Sequence, residues 1–146
     1  MATYDNNLFY ACSLIEYIGR VTKNRRGKLI DYIKGDVERI YQYADVFHCE
    51  PIESVADEFI ERNQIPTGDY DIVSGVHYDI PDYWDIGEVF ERLIEDVFPE
   101  SERVRGVMDV FSSWMADEIL NFNSDLYYQS REYLAECYRC GEIIDG

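Results

Sequence analysis

Apolar residues recur at three- and four-residue intervals along most of this chain, the period of a helix that turns one face inward. A first helix is expected from an Asp5 cap to about Thr22, with Leu8, Cys12, Ile15, Ile18 and Thr22 on one stripe. A short second helix carries Leu29, Ile30 and Ile33, and Gly35 stops it. Asp36 is placed to cap a third, with Val37, Ile40, Tyr41, Ala44 and Phe47 facing the core. Pro51 suits a first helical turn, and Val55, Ala56, Phe59 and Ile60 form the inner face that follows.

The period lapses over residues 64–84. Pro66, Gly68, Gly75 and Pro81 punctuate that stretch, and Tyr70-Asp71-Ile72-Val73 alternates, which leaves room for one short hairpin around Ser74-Gly75. Helical spacing returns at Ile86, Val89, Phe90, Leu93, Ile94 and Val97 and ends at Pro99. The longest helix is expected from Ser101 to about Phe122, through Val104, Val107, Met108, Phe111, Met115 and Ile119. Asn121 to Ser124 reads as a turn, and a last helix runs from Ser130 to about Cys140, where Gly141 suits its end. The expected fold is all-α: a single domain over 1–146, an irregular bundle of about seven helices with one long loop.

Composition agrees with a packed domain. The 146 residues are 47% apolar and 15% aromatic, enough to build one core. No apolar run reaches the roughly 20 residues of a membrane span, and the first residues lack a signal peptide's basic start and apolar core. The expected compartment is the cytoplasm, where Cys12, Cys49, Cys137 and Cys140 stay reduced.

Charge changes the picture more. The net charge is -17, but residues 1–34 carry +3 and the rest -20, with 15 acids against Arg62 and Arg92 between 53 and 102. Such a field repels nucleic acid and anionic membranes and attracts cationic surfaces. Asp57, Glu58 and Glu61, then Glu88, Glu91, Glu95 and Asp96, are expected along exposed helix edges. Tyr70, Asp71 and Tyr83 add to that face, since tyrosine is enriched where interfaces concentrate their energy and not all 13 tyrosines are needed in the core. The expected function is a non-enzymatic domain whose acidic face covers a basic surface of another protein, with no cofactor and no direct contact with nucleic acid. A second reading takes the acid rows as a phosphate-backbone mimic that inhibits a nuclease or defence complex.

Candidate chemistry adds little. Five cations within nine positions, Arg20, Lys23, Arg25, Arg26 and Lys28, lie beside the start of the second helix and form a candidate anion site. Cys137 and Cys140 share a helical face and suggest a zinc site with His48 and Cys49, but adjacent side chains on a helix diverge, so no metal site is assigned. Asp69, Asp71, His77, Tyr78, Asp79, Asp82 and Asp85 gather in the long loop, and a small metal-dependent enzyme is the third reading. The nucleotide-binding glycine loops, nucleophile elbow and zinc-protease motif are absent from the sequence.

Three segments resemble one family of small acidic bacterial proteins. They are Leu8 to Ile18 running on to Lys23-Asn24-Arg25-Arg26; Ala44 to Glu50 with Val55-Ala56-Asp57-Glu58; and Asp117 to Tyr128. The likeness covers most of the chain. Genes of that family stand beside ADP-ribosyltransferase-like genes in clusters that look like mobile or toxin–antitoxin loci. The resemblance implies an antitoxin-like or accessory role and carries over no catalytic residue.

Overall fold

A computed structural model describes residues 5–77 and 79–144. Its helices are α1 (Asn6–Thr22), α2 (Arg26–Ile33), α3 (Val37–Gln42), α4 (Ala44–Phe47), α5 (Ile52–Arg62), α6 (Tyr83–Val97), α7 (Arg103–Phe111), α8 (Trp114–Ile119) and α9 (Arg131–Cys140). Short 3-10 turns at Glu100–Glu102 and Leu126–Tyr128 complete it, and no strand occurs among the described residues. The all-α class holds; the number of helices is higher than about seven. None of the described helices is long and apolar enough to cross a membrane.

The extra helices come from two breaks that periodicity cannot see. The stretch expected as the longest helix divides at Ser112-Ser113. Ser113 turns to extended backbone (φ -84°, ψ 166°), and its Oγ donates to the Val110 carbonyl at 2.6 Å. A serine hydroxyl offers the backbone this local alternative to the helical ladder. The third helix divides likewise at Tyr43, where ψ is 24°. Asp36 does not cap α3 with its side chain; it accepts from Asn63 Nδ2 at 2.9 Å and faces Arg62 at 3.4 Å.

Helix α1 is the longest and lies at the centre. Asp5 caps it, accepting from the Leu8 amide at 3.0 Å. Every residue from Tyr10 to Glu16 is buried, so the helix is enclosed on all sides and not along one stripe. Its most extensive neighbour is α6. The two backbones approach at Gly87, where a Cβ would lie 2.9 Å from Ser13 Cα. Gly87→Ala is therefore expected to lower stability by about 1–2 kcal/mol, overpacking outweighing the gain in helix propensity. Thermal melting checks this, and an unchanged or raised Tm would show that the helices separate without cost.

Residues 64–77 and 79–82 form a strap, and among the described residues no strand of the expected hairpin around Ser74-Gly75 occurs. The strap is held to the end of α1 by Gly68 N–H to the Thr22 carbonyl at 2.7 Å, Tyr70 N–H to the Lys23 carbonyl at 2.9 Å, Asn24 Nδ2 to the Pro66 carbonyl at 2.8 Å and Arg20 Nη2 to the Pro81 carbonyl at 2.7 Å. Asp71 then closes a tight turn, accepting from the Val73 and Ser74 amides at 2.8 and 3.1 Å and from Ser74 Oγ at 2.6 Å. These bonds hold its carboxyl down at about 2. Ile65 and Ile72 anchor the strap in the core.

Candidate partner-binding face

The carboxylates expected along exposed edges separate into two groups. On α6 the row does not exist as such. Glu91 lies four residues beyond Gly87 on the face turned to α1 and is fully buried. Glu88 pairs with Arg92, and Arg131 of α9 takes both oxygens of Asp96 at 2.7 and 2.9 Å and faces Glu95 at 3.5 Å. The α6 edge is thus largely neutralised within the molecule.

On α5 the row survives. Glu53, Asp57, Glu58 and Glu61 are exposed, and among the described residues none has an ion pair, since Arg62 turns to Asp36. Glu53, Asp57 and Glu61 succeed one another at four-residue intervals. Like charges so spaced repel and cost the helix a few tenths of a kcal/mol per pair.

Beside this row α1 and α6 bring together an aromatic cluster that the sequence reading did not single out. Trp84 lies at the start of α6, 5.2 Å from the Tyr83 ring, 5.6 Å from His48 and 6.4 Å from Tyr10. Tyr10 stands 5.0 Å from His48, and Tyr17 meets Tyr83 edge-on at 5.0 Å. Burial raises the Tyr17 hydroxyl pKa, with further contributions from Glu53, Tyr83 and Asp57. Burial and then Glu50 push Tyr10 up to about 12. A signal was present: the pair Tyr83-Trp84 opens a helix directly after the Asp82 cap, which accepts from the Asp85 amide at 2.8 Å.

Tyr70 and Asp71 belong elsewhere. The Arg25 guanidinium lies 4.7 Å over the Tyr70 ring, between a cleft of about 320 Å³ that reaches Asp117 and Asn123 and one of about 540 Å³ lined by Lys23, Arg25 and Lys28. The five cations do not form one patch. Arg26 is fully buried against Glu16, Arg20 donates to the Pro81 carbonyl at 2.7 Å, and Arg25 pairs with Asp117 at 3.0 Å. Arg26 is withdrawn from the anion site because its guanidinium is already satisfied in the core.

His48 and the cysteines have separate surroundings. His48 belongs to the aromatic cluster, Cys49 Sγ contacts the Asp45 carbonyl, Cys137 is buried and Cys140 is exposed. His77 gives its amide to Asn123 Oδ1 at 3.2 Å. Among the described residues no three His, Cys, Asp or Glu side chains are grouped to hold a metal ion, and Tyr78 lies outside those residues. No family model, curated protein or solved structure matches this chain.

Proposed function

We propose that this chain is a non-enzymatic acidic binding domain, antitoxin-like or accessory, which covers a basic surface of a partner protein. The observation that carries this reading is the α5 edge. Its four carboxylates repel one another and find no cation within the described molecule, whereas the acids of α6 are mostly paired or buried. A cationic partner relieves that repulsion and gains the long-range steering of a -17 body. The neighbouring rings supply the aromatic content typical of interface hot spots.

Mimicry of nucleic acid has less support, because the α6 row that would extend the phosphate-like line is interrupted at Glu91. Co-expression with the product of the adjacent gene tests the proposal. Expected are growth rescue and co-purification, both lost on reversing Glu53, Asp57, Glu58 and Glu61 to lysine. Neither rescue nor co-purification with the unaltered chain would overturn it.

A further inference from the structure

The corner between α1 and α2 carries cations that the acidic face does not use. Lys23, Arg25 and Lys28 are all exposed and line one cleft of about 540 Å³ together with Asp69, Tyr70 and Asp71. That volume lies in the range of small-molecule sites. In a chain of 30 acids and 13 cations, an ion pair is the ordinary fate of a cation. Among the described residues Lys23 and Lys28 have none. Arg25 gives only Nη1 to Asp117, so its Nε and Nη2 have no acceptor among those residues. The walls are fixed. A Cβ on Gly68 would stand 2.4 Å from the Lys23 carbonyl oxygen, so the strap lies against the end of α1 as closely as backbone allows. Asn24, 4% exposed, ties the same two segments by donating to Thr22 Oγ1 and to the Pro66 carbonyl. Lys23 itself holds a left-handed backbone (φ 56°), so a lysine stands where a helix end favours glycine.

The carboxylates of the cleft narrow the class of ligand. Both Asp71 oxygens are taken up within its own turn. Asp69 is exposed, has no ion pair among the described residues, and repels a bare anion. An ionised carboxylate only accepts hydrogen bonds, so it suits a ligand that brings hydroxyl donors along with its negative charge. We propose that this cleft binds a phosphorylated sugar, with the phosphate on Lys23, Arg25 and Lys28 and a sugar hydroxyl on Asp69. Charge-assisted bonds from three cations hold the phosphate, and Tyr70 steadies the Arg25 guanidinium, 4.7 Å from its ring centroid. None of the described α5 residues lines the cleft, so its test is independent of the partner-binding reading.

Calorimetric titration of the protein with ribose 5-phosphate, inorganic phosphate and ribose, at about 0.15 M salt, tests the site. Ribose 5-phosphate should bind saturably with a Kd of about 1 mM or below, and inorganic phosphate more weakly. Ribose alone should give no saturable heat. Lys23→Gly and Lys28→Gln should each weaken ribose 5-phosphate about five-fold or more. Lys34→Gln, an exposed lysine outside the cleft, should do so by less than about two-fold. Asp69→Asn should weaken ribose 5-phosphate yet tighten inorganic phosphate, since it removes a hydroxyl acceptor and a repulsion together. Lys23→Gly relieves a left-handed residue, so an undiminished Tm separates lost binding from lost fold. Absence of saturable ribose 5-phosphate binding overturns the site. Equal weakening by Lys34→Gln and the two cleft variants also overturns it, since the attraction is then diffuse. Asp69→Asn acting in the same direction on both anions overturns the sugar assignment and leaves a site for phosphate alone.

Discussion

Replacing Arg26 by methionine is expected to lower stability by about 3–5 kcal/mol, seen as a fall in the urea midpoint at unchanged slope. Arg26 is 0% and Glu16 1% exposed by side chain. Arg26 Nε donates to Glu16 Oε2 at 2.9 Å, Nη2 donates to Oε1 at 3.1 Å, and Nη1 donates to the Asn24 carbonyl at 2.8 Å. Removing the cation leaves a carboxylate in the core with its fork-shaped partner gone. The loss then measures an uncompensated charge and not the worth of the pair, so Glu16→Leu combined with Arg26→Met should recover most of it. Gly19→Ala should reproduce part of the defect, because a Cβ there would stand 2.4 Å from the guanidinium carbon. A cost below about 1 kcal/mol for Arg26→Met would mean that water reaches Glu16.

Glu91→Gln should act in the opposite direction and only at higher pH. Burial first, and then neighbouring Glu95, raise the Glu91 carboxyl from 4.5 to about 8, while the Asp5 amide and Arg131 oppose the shift. Neither carboxyl oxygen has a partner in hydrogen-bond geometry among the described residues. Between 4.5 and about 8 the folded chain therefore holds a proton that the unfolded chain has released, so stability falls as pH rises through that window. The glutamine variant, neutral throughout, escapes that fall. It should stay within about 1 kcal/mol of the unaltered protein near pH 5 and exceed it by about 4 kcal/mol near pH 8.5. Parallel stability curves for the two proteins across this range would show that Glu91 ionises freely in the fold.

The helices with a strong apolar stripe were legible. Asp5, Asp82 and Ser130 stand at helix starts and accept from the third residue onward, as such residues do. The breaks at Tyr43 and Ser112-Ser113 were not legible, because the apolar period runs through them and the competing bonds are local. The α5 acids could be read as an exposed row, since Val55, Ala56 and Phe59 fix the opposite face. Glu91 could not. Its spacing from Gly87 marks the inner face only once it is known that α1 packs against that glycine.

The same division holds for the charged and aromatic residues at large. Sequence by itself determined a helical, strongly acidic chain with five of its 13 cations gathered between Arg20 and Lys28, because period and composition are properties of the linear order. Only the tertiary structure decided which charges are withdrawn from solvent or paired between distant segments. It drew Arg26 into the core beside Glu16 and tied Arg131 to Asp96 across two helices. It also brought Tyr10, His48 and Trp84 into one cluster from three separate stretches of chain. Pairing energies depend on distance and burial, and neither quantity exists until distant segments pack.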